Sequence, residues 1–163
     1  MQMKSVQVVE ADLSRTEHQE ATLKLLDAYA RDPMGNGAPL PAETRHRLIP
    51  GLRDHPTTMV FLAYCDDAPV GLAICFFGYS TFAARPLINI HDLVVSPHFR
   101  GQGVGRRLLD EIALKGQATG CCKLTLEVQE NNVSARRVYE RAGFTQAAFH
   151  AEAGAVLFMS KPL

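Results

Sequence analysis

The 163-residue chain has no tryptophan, no net charge and no apolar run long enough to cross a bilayer. Lys plus Arg and Asp plus Glu each number 17, so the balance indicates no broad basic surface for nucleic acid or anionic membrane. A membrane helix needs about 20 consecutive apolar residues, and the opening stretch MQMKSVQVVEADLS has no apolar signal core. We therefore expect a cytoplasmic protein with neither a nucleic-acid nor a membrane partner.

Metal-binding and nucleotide motifs are also missing. The four cysteines, Cys65, Cys75, Cys121 and Cys122, show no CxxC spacing, which predicts reduced, mostly buried thiols and no metal site. A P-loop would need Gly-Lys-Ser/Thr after four spacer residues. The dinucleotide fingerprint GxGxxG would need a third glycine where Arg106 or Leu108 stands. The sequence therefore excludes the P-loop and the dinucleotide-binding fingerprint.

What is present is the composition of one globular domain, residues 1–163, with 47% hydrophobic and 21% charged residues. Periodicity and turn residues predict seven strands and four helices of the α/β (α+β) class. The predicted strands are 4–9, two strands within 57–80 joined by residues 66–69, then 87–95, 123–129 and two within 144–163. The predicted helices are 16–31, 42–52, 104–119 and 133–142, the last ending at Gly143.

The strongest local signal is a strand-to-helix turn with glycine at alternate positions. Gly101, Gly103 and Gly105 precede the third helix, whose first amide groups have no partner within the helix and favour an anion. Arg100, Arg106 and Arg107 add local positive charge. The pattern alone leaves two interpretations, a phosphate cradle or a plain tight turn with solvated arginines.

Two motifs at this point resemble the GCN5-related N-acetyltransferase (GNAT) superfamily. HDLVVSPHFRGQGVGRRLL carries the R-x-x-G-x-G form, and LTLEVQENNVSARRVYERAGF carries N-x-x-A-x-x-x-Y-x-x-x-G-F. The resemblance covers most of the chain. It implies the GNAT fold, a mixed, mostly antiparallel sheet of six to seven strands with a splayed pair, flanked by four helices. It also implies an N-acetyltransferase with acetyl-CoA as cosubstrate and no metal.

The resemblance further implies which residues hold coenzyme A. The pantetheine arm would pair with the strand edge, and the pyrophosphate would rest on the glycine turn. The residues so implied are Leu93, Val94, Val95, Arg100, Gly101, Gln102, Gly103, Val104, Gly105, Arg106, Asn132, Ala135 and Arg136.

Two residues are predicted to be catalytic. By resemblance, Tyr139 lies near the thioester sulfur as a general acid; the alternative is a packing aromatic on the last helix. His91 interrupts an apolar strand and suits a general base; the alternative is a core histidine. Strict alternation would put Asn89, His91, Leu93 and Val95 on one face, with Asp92 opposite in a structural role.

The acceptor is predicted less sharply. FFGYSTFAARPLINIHDL is similar in layout to the diamine and thialysine acetyltransferase branch, but His91 stands where that branch has Glu. Residues 27–37 are expected to close over an acceptor pocket. Tyr79, Ser80, Phe82 and Arg85 are expected to line it, with Asp27, Asp32 and Glu43 attracting a cationic amine.

The resulting hypothesis is direct acetylation of a primary amine on a small molecule. The alternatives are acetylation of a protein or peptide amine or of an aminoglycoside, and a non-catalytic CoA-binding module. Homodimers are common in the family that the chain resembles, but no sequence feature decides the oligomeric state.

Overall fold

Among the residues that the structure describes, the sheet has five strands in the order β1-β2-β3-β4-β5. The computed structural model describes residues 5–146 and 156–163. Neighbouring strands from β1 to β4 pair antiparallel, and β5 is parallel to β4. The strands are β1 (Val6–Glu10), β2 (Thr58–Cys65), β3 (Ala68–Ser80), β4 (Arg85–Val95) and β5 (Leu124–Leu126).

The helix boundaries follow the capping and turn residues of the sequence. The helices are α1 (Thr16–Arg31), α2 (Ala42–Asp54), α3 (Val104–Ala118) and α4 (Val133–Arg141). Gly103 is the N-cap of α3 with a φ of 82°, and the Asn132 side chain caps α4 by accepting from the Ala135 amide. Gly143, with a φ of 93°, follows α4 in the left-handed conformation that favours glycine.

Apolar side chains form one core on each face of the sheet. Leu108, Leu109 and Ile112 of α3 pack against one face, and Leu25 of α1 with Leu52 of α2 packs against the other. Fully buried residues such as Leu62 and Leu72 carry the hydrophobic stabilisation. Within the described residues, no helix is long and apolar enough to cross a membrane.

The predicted class, a mixed and mostly antiparallel sheet with four helices, is confirmed, but the predicted six to seven strands are too many. Five strands occur among the described residues. The two strands expected within 144–163 fall partly on 147–155, outside the described residues, and 156–163 carry no strand. Strand β5 is also shorter than the predicted 123–129. Cys65 and Cys75 are buried, Cys121 and Cys122 half-buried, and all four are free thiols.

Candidate active site

The glycine turn before α3 presents unpartnered backbone amides to open space. Gly101 and Gly103 have φ values of 75° and 82°, and a Cβ at either would meet nothing within 4 Å. Within the described part of the chain, the amides from Gly101 to Arg106 donate to no backbone oxygen. No acidic residue stands in the first turn of α3, so the positive end of the helix dipole is uncompensated there. This geometry fits a phosphate or pyrophosphate group.

The arginines around the turn have protein partners. Arg100 donates from Nη2 to Asp32 at 2.8 Å and from Nε to the Val95 carbonyl at 3.1 Å. Arg106 donates to Asp110 and to the Arg141 carbonyl, and Arg107 donates to the Val6 carbonyl. The side chain of Arg100 therefore ties the turn to the end of α1, while the backbone amides of the turn remain available as donors.

Strand β4 separates from β5 beyond its third residue pair. The two strands pair at Ile88, Asn89 and Ile90, while β4 continues to Val95. The edge from His91 to Val95 therefore has no neighbouring strand on the β5 side among the described residues. Such an edge can pair with an extended ligand.

A bulge in β4 changes which side chains share a face. The register with β3 shifts so that Ile74 pairs with Asp92 and Cys75 pairs with Ile90, which leaves His91 without its own partner. The His91 ring contacts Phe76 edge-on, with centroids 5.7 Å apart. Because Ile74 and Phe76 face α1 and α2, Asp92 and His91 lie on that same face.

The predicted alternation along β4 is therefore wrong. Leu93 and Val95 pack with the α3 core, whereas Val94 packs with the α1 core, because the bulge reverses the parity after His91. His91 is exposed rather than a core histidine, and Asp92 is half-buried. Asp92 is the residue that sequence reasoning missed, and no local sequence signal marks a bulge at this point.

Asp92 is the centre of a group of electrostatically coupled side chains. Burial raises the pKa of its carboxyl, opposed by His91. Burial and then the Asp92 charge raise the pKa of Tyr29 on α1, and the same two causes raise the pKa of the Cys75 thiol to about 12. A half-buried carboxyl with a raised pKa is the kind of group that active sites use for proton transfer.

Tyr139 of α4 is a half-buried phenol that holds its proton. Burial, and to a lesser degree Tyr29, raises its pKa to about 12. Its ring meets Phe144 at a centroid distance of 5.9 Å and packs on the α3 core. The Asp92 charge thus raises the pKa of Tyr29, and Tyr29 in turn raises that of Tyr139.

The start of α4 places the remaining predicted cofactor residues. The Asn132 oxygen accepts from the Ala135 amide at 3.2 Å, so its amide nitrogen is the group left to donate. Arg136 donates to the Glu130 carbonyl at 3.2 Å.

Val104 is buried in the α3 core, so only its backbone can face a ligand. Among the described residues, no group of three or more His, Cys, Asp or Glu could hold a metal ion.

The predicted acceptor residues divide into two groups. Asp27 accepts from the Leu40 amide and from Arg31, and Asp32 accepts from Arg100, so both carboxylates hold the chain between α1 and α2. Tyr79 and Phe82, at the outer end of β3 and in the turn after it, are 62% and 97% exposed. Neither lines the groove of about 750 Å³ beside α2, which is lined by Glu43, His55 and Phe76 among others.

A family model described as the acetyltransferase (GNAT) family matches residues 22–144. The chain is 35% identical over 74 residues to the thialysine N-epsilon-acetyltransferase of Bos taurus, which covers 45% of this chain and 43% of that relative. The chain thus matches less than half the length of that curated relative.

Two solved structures are similar over nearly the whole chain. A probable acetyltransferase has a TM-score of 0.79 at 20% identity, covering 96% of this chain and 99% of that one. The aminoglycoside N-acetyltransferase AAC(6′)-Iy in complex with CoA has a TM-score of 0.76 at 17% identity, covering 98% and 96%. At these identities the similarity shows the fold alone.

Proposed function

Because this chain belongs to the acetyltransferase (GNAT) family, we propose that it transfers the acetyl group of acetyl-CoA directly to the primary amine of a small molecule. Membership confirms the family predicted from the two motifs. The observation that carries the proposal is the coupled group at the bulge of β4. At the bulge Asp92 has a raised pKa, and on α4 Tyr139 keeps its proton to a pKa of about 12.

The residues around the splayed edge suit coenzyme A. The amides from Gly101 to Arg106 would hold the pyrophosphate, because they are unpartnered and stand at the positive end of α3. The backbone of Leu93 to Val95 would pair with the pantetheine arm, and Asn132 would donate to it. Acetyl-CoA, the acetyl donor of this family, supplies an acetyl group activated as a thioester.

The proton transfers are assigned to side chains at the bulge and on α4. Asp92 holds the acceptor ammonium, and His91 beside it takes the proton that the amine must lose and passes it to solvent. The amine nitrogen bonds to the acetyl carbon as the carbon–sulfur bond breaks. Tyr139 donates its proton to the departing sulfur, as a general acid that is protonated at neutral pH can do. The second proton that the nitrogen loses, once its bond to the acetyl carbon has formed, restores the Tyr139 hydroxyl by way of solvent.

Direct transfer is favoured over an acetylated enzyme because the thiol that senses the Asp92 charge, Cys75, is unsuited to attack. Cys75 is coupled to Asp92, but burial raises its pKa to about 12, and only the thiolate is a good nucleophile. It is also fully buried, so a thioester would not reach it without the core opening.

Thiol release from acetyl-CoA across a panel of acceptors tests the proposal. We expect turnover with small primary amines and little with peptides or aminoglycosides. Preferred turnover of peptides or aminoglycosides would favour those acceptors instead. Tight CoA binding without turnover of any amine would favour a non-catalytic module.

The role of His91 is tested separately by the pH dependence of kcat/KM. In His91→Ala we expect the acidic limb of the profile to move, because the route for the amine proton is changed. A profile identical to that of the parent would remove His91 from the mechanism and leave Asp92 as the base.

A further inference from the structure

The groove of about 750 Å³ beside α2 has the volume of a small-molecule site. It is lined by the exposed side of α2 and by Phe76 of β3, which supplies part of its apolar surface together with Leu48, Pro50 and Leu52. The proton transfers assigned above do not use this groove.

A row of three aromatic rings joins the groove to the bulge in β4. The Phe76 ring meets the His91 ring at a centroid distance of 5.7 Å and an angle of 76°. It also meets the His55 ring at 5.1 Å and 74°, and both His55 and Phe76 line the groove. A ligand with one end at Asp92 would therefore reach the groove by passing along Phe76.

The charges of the groove do not suit a polycation. Its two carboxylates are Glu43 and Asp54, and each already has a cationic neighbour. Arg47 lies 3.9 Å from Glu43, and Arg53 lies 3.2 Å from Asp54. A polyamine or an aminoglycoside carries several ammonium groups, each of which would need a carboxylate or an aromatic face of its own.

We propose that this groove binds the body of the acceptor, and that the acceptor is a primary amine with a single ammonium group and a flat, apolar or aromatic body. The inference rests on the proposed function, because it places the reactive amine at Asp92. The body would lie against Phe76, since aromatic rings prefer edge-on or offset contacts with other rings.

Gly51 offers a way to fill the groove without straining the fold. It lies on α2 and lines the groove, and a Cβ built there meets nothing within 4 Å. Gly51→Phe would place a ring where the acceptor body is expected. Ala42→Phe adds the same ring to the same helix at an exposed, uncharged residue outside the groove lining and is the matched control.

The experiment compares kcat/KM for 2-phenylethylamine, ethylamine and spermidine. For the parent we expect the aromatic amine to exceed both others by about tenfold or more, and Gly51→Phe to lower the ratio of 2-phenylethylamine to ethylamine by a similar factor. Ala42→Phe should keep the parent ratio. Equal or better use of spermidine by the parent would overturn the inference, as would an unchanged ratio in Gly51→Phe.

Calorimetry with 2-phenylethylamine in the presence of CoA measures acceptor binding in the groove independently of acetyl transfer. Binding to the parent that Gly51→Phe abolishes supports the groove even if no acetyl transfer occurs, in which case the proposed function alone fails. No binding to the parent overturns the groove assignment whatever the turnover.

Discussion

Tyr139 shows how burial can fix the chemical role of one side chain. With its pKa raised to about 12, the phenol remains a proton donor throughout the neutral and mildly alkaline range. Tyr139→Phe removes the hydroxyl and keeps the ring that packs on Phe144. We expect kcat to fall by about a hundredfold, within the usual contribution of a general acid, while KM for acetyl-CoA changes little. Steady-state kinetics test this, and an unchanged kcat would eliminate the acid role.

Asp92 is expected to reduce the stability of the folded chain. Burial raises the pKa of Asp92 above its ordinary value of 3.8, so the folded state holds the proton more tightly than the unfolded state does. Ionisation therefore costs stability as the pH rises from about 3.8 through the folded pKa, and the cost remains at neutral pH. Asparagine carries no charge, so the Asp92→Asn variant avoids this cost of ionisation.

The asparagine variant should therefore be more stable and less active. At pH 7 we expect a higher thermal midpoint than for the parent, with the gap narrowing as the pH falls toward about 4. Acetyl transfer should fall by about tenfold or more, because the variant cannot hold an ammonium group by charge. A variant that is less stable than the parent at neutral pH would show that the Asp92 carboxylate is a structural partner.

At the scale of elements, the turn before α3 is expected to bind the cofactor through its backbone. Gly103→Val would add a side chain in the open space above the amides and strain a φ of 82°. We expect the affinity for acetyl-CoA, measured by calorimetry, to fall by about tenfold or more. The fall should come from obstruction of the amides as well as from strain.

Gly120→Val separates the two causes. Gly120 has a φ of 74° and a Cβ there also meets nothing within 4 Å, but it follows the other end of α3. The variant therefore carries a similar backbone strain away from the cofactor turn. It should lose stability as Gly103→Val does and keep its acetyl-CoA affinity. Equal losses of affinity in the two variants would contradict the cradle.

Helix α1, strand β4 and the groove beside α2 show how much of the structure the sequence could predict. Helix α1 was predicted at 16–31 and occurs there, because turn residues and apolar periodicity are local signals. The bulge at His91 was not predictable, since it depends on how β4 pairs with Ile74 and Cys75. The groove beside α2 was missed for a related reason, because Phe76 meets His55 only after the chain has folded.

Contacts between distant segments give Arg100 a partner that its motif does not predict. Its position in the R-x-x-G-x-G motif predicts a cofactor contact. The structure adds a 2.8 Å hydrogen bond to Asp32, 68 residues away, which holds the pKa of that carboxyl below its usual range. Motif spacing carries no information about such a partner.

At the scale of the whole molecule, stability is expected to be uneven across the sheet. Strands β2 and β3 pair on both sides over most of their length, and their side chains fill both cores. Strand β5 pairs with β4 alone and through three residue pairs. Among the described residues α4 has no fully buried side chain. The unit formed by β5 and α4 should therefore open locally before the rest.

Amide hydrogen exchange measures this difference and its response to ligand. Without acetyl-CoA, peptides from 120–146 should exchange faster than peptides from 58–80, because fewer contacts must break. If the ligand joins β4, the glycine turn and α4, an excess of about 100 times its Kd should stabilise the closed unit by about 2.7 kcal/mol and slow its exchange about a hundredfold. Gly103→Val should show the fast exchange without ligand and, with a Kd about tenfold higher, only about 1.4 kcal/mol of stabilisation and about tenfold slower exchange at the same ligand concentration. Slow exchange of β5 without ligand would mean that the two parts of the sheet are already held together without the cofactor. The full parental response in the variant would mean that the glycine turn does not hold the ligand.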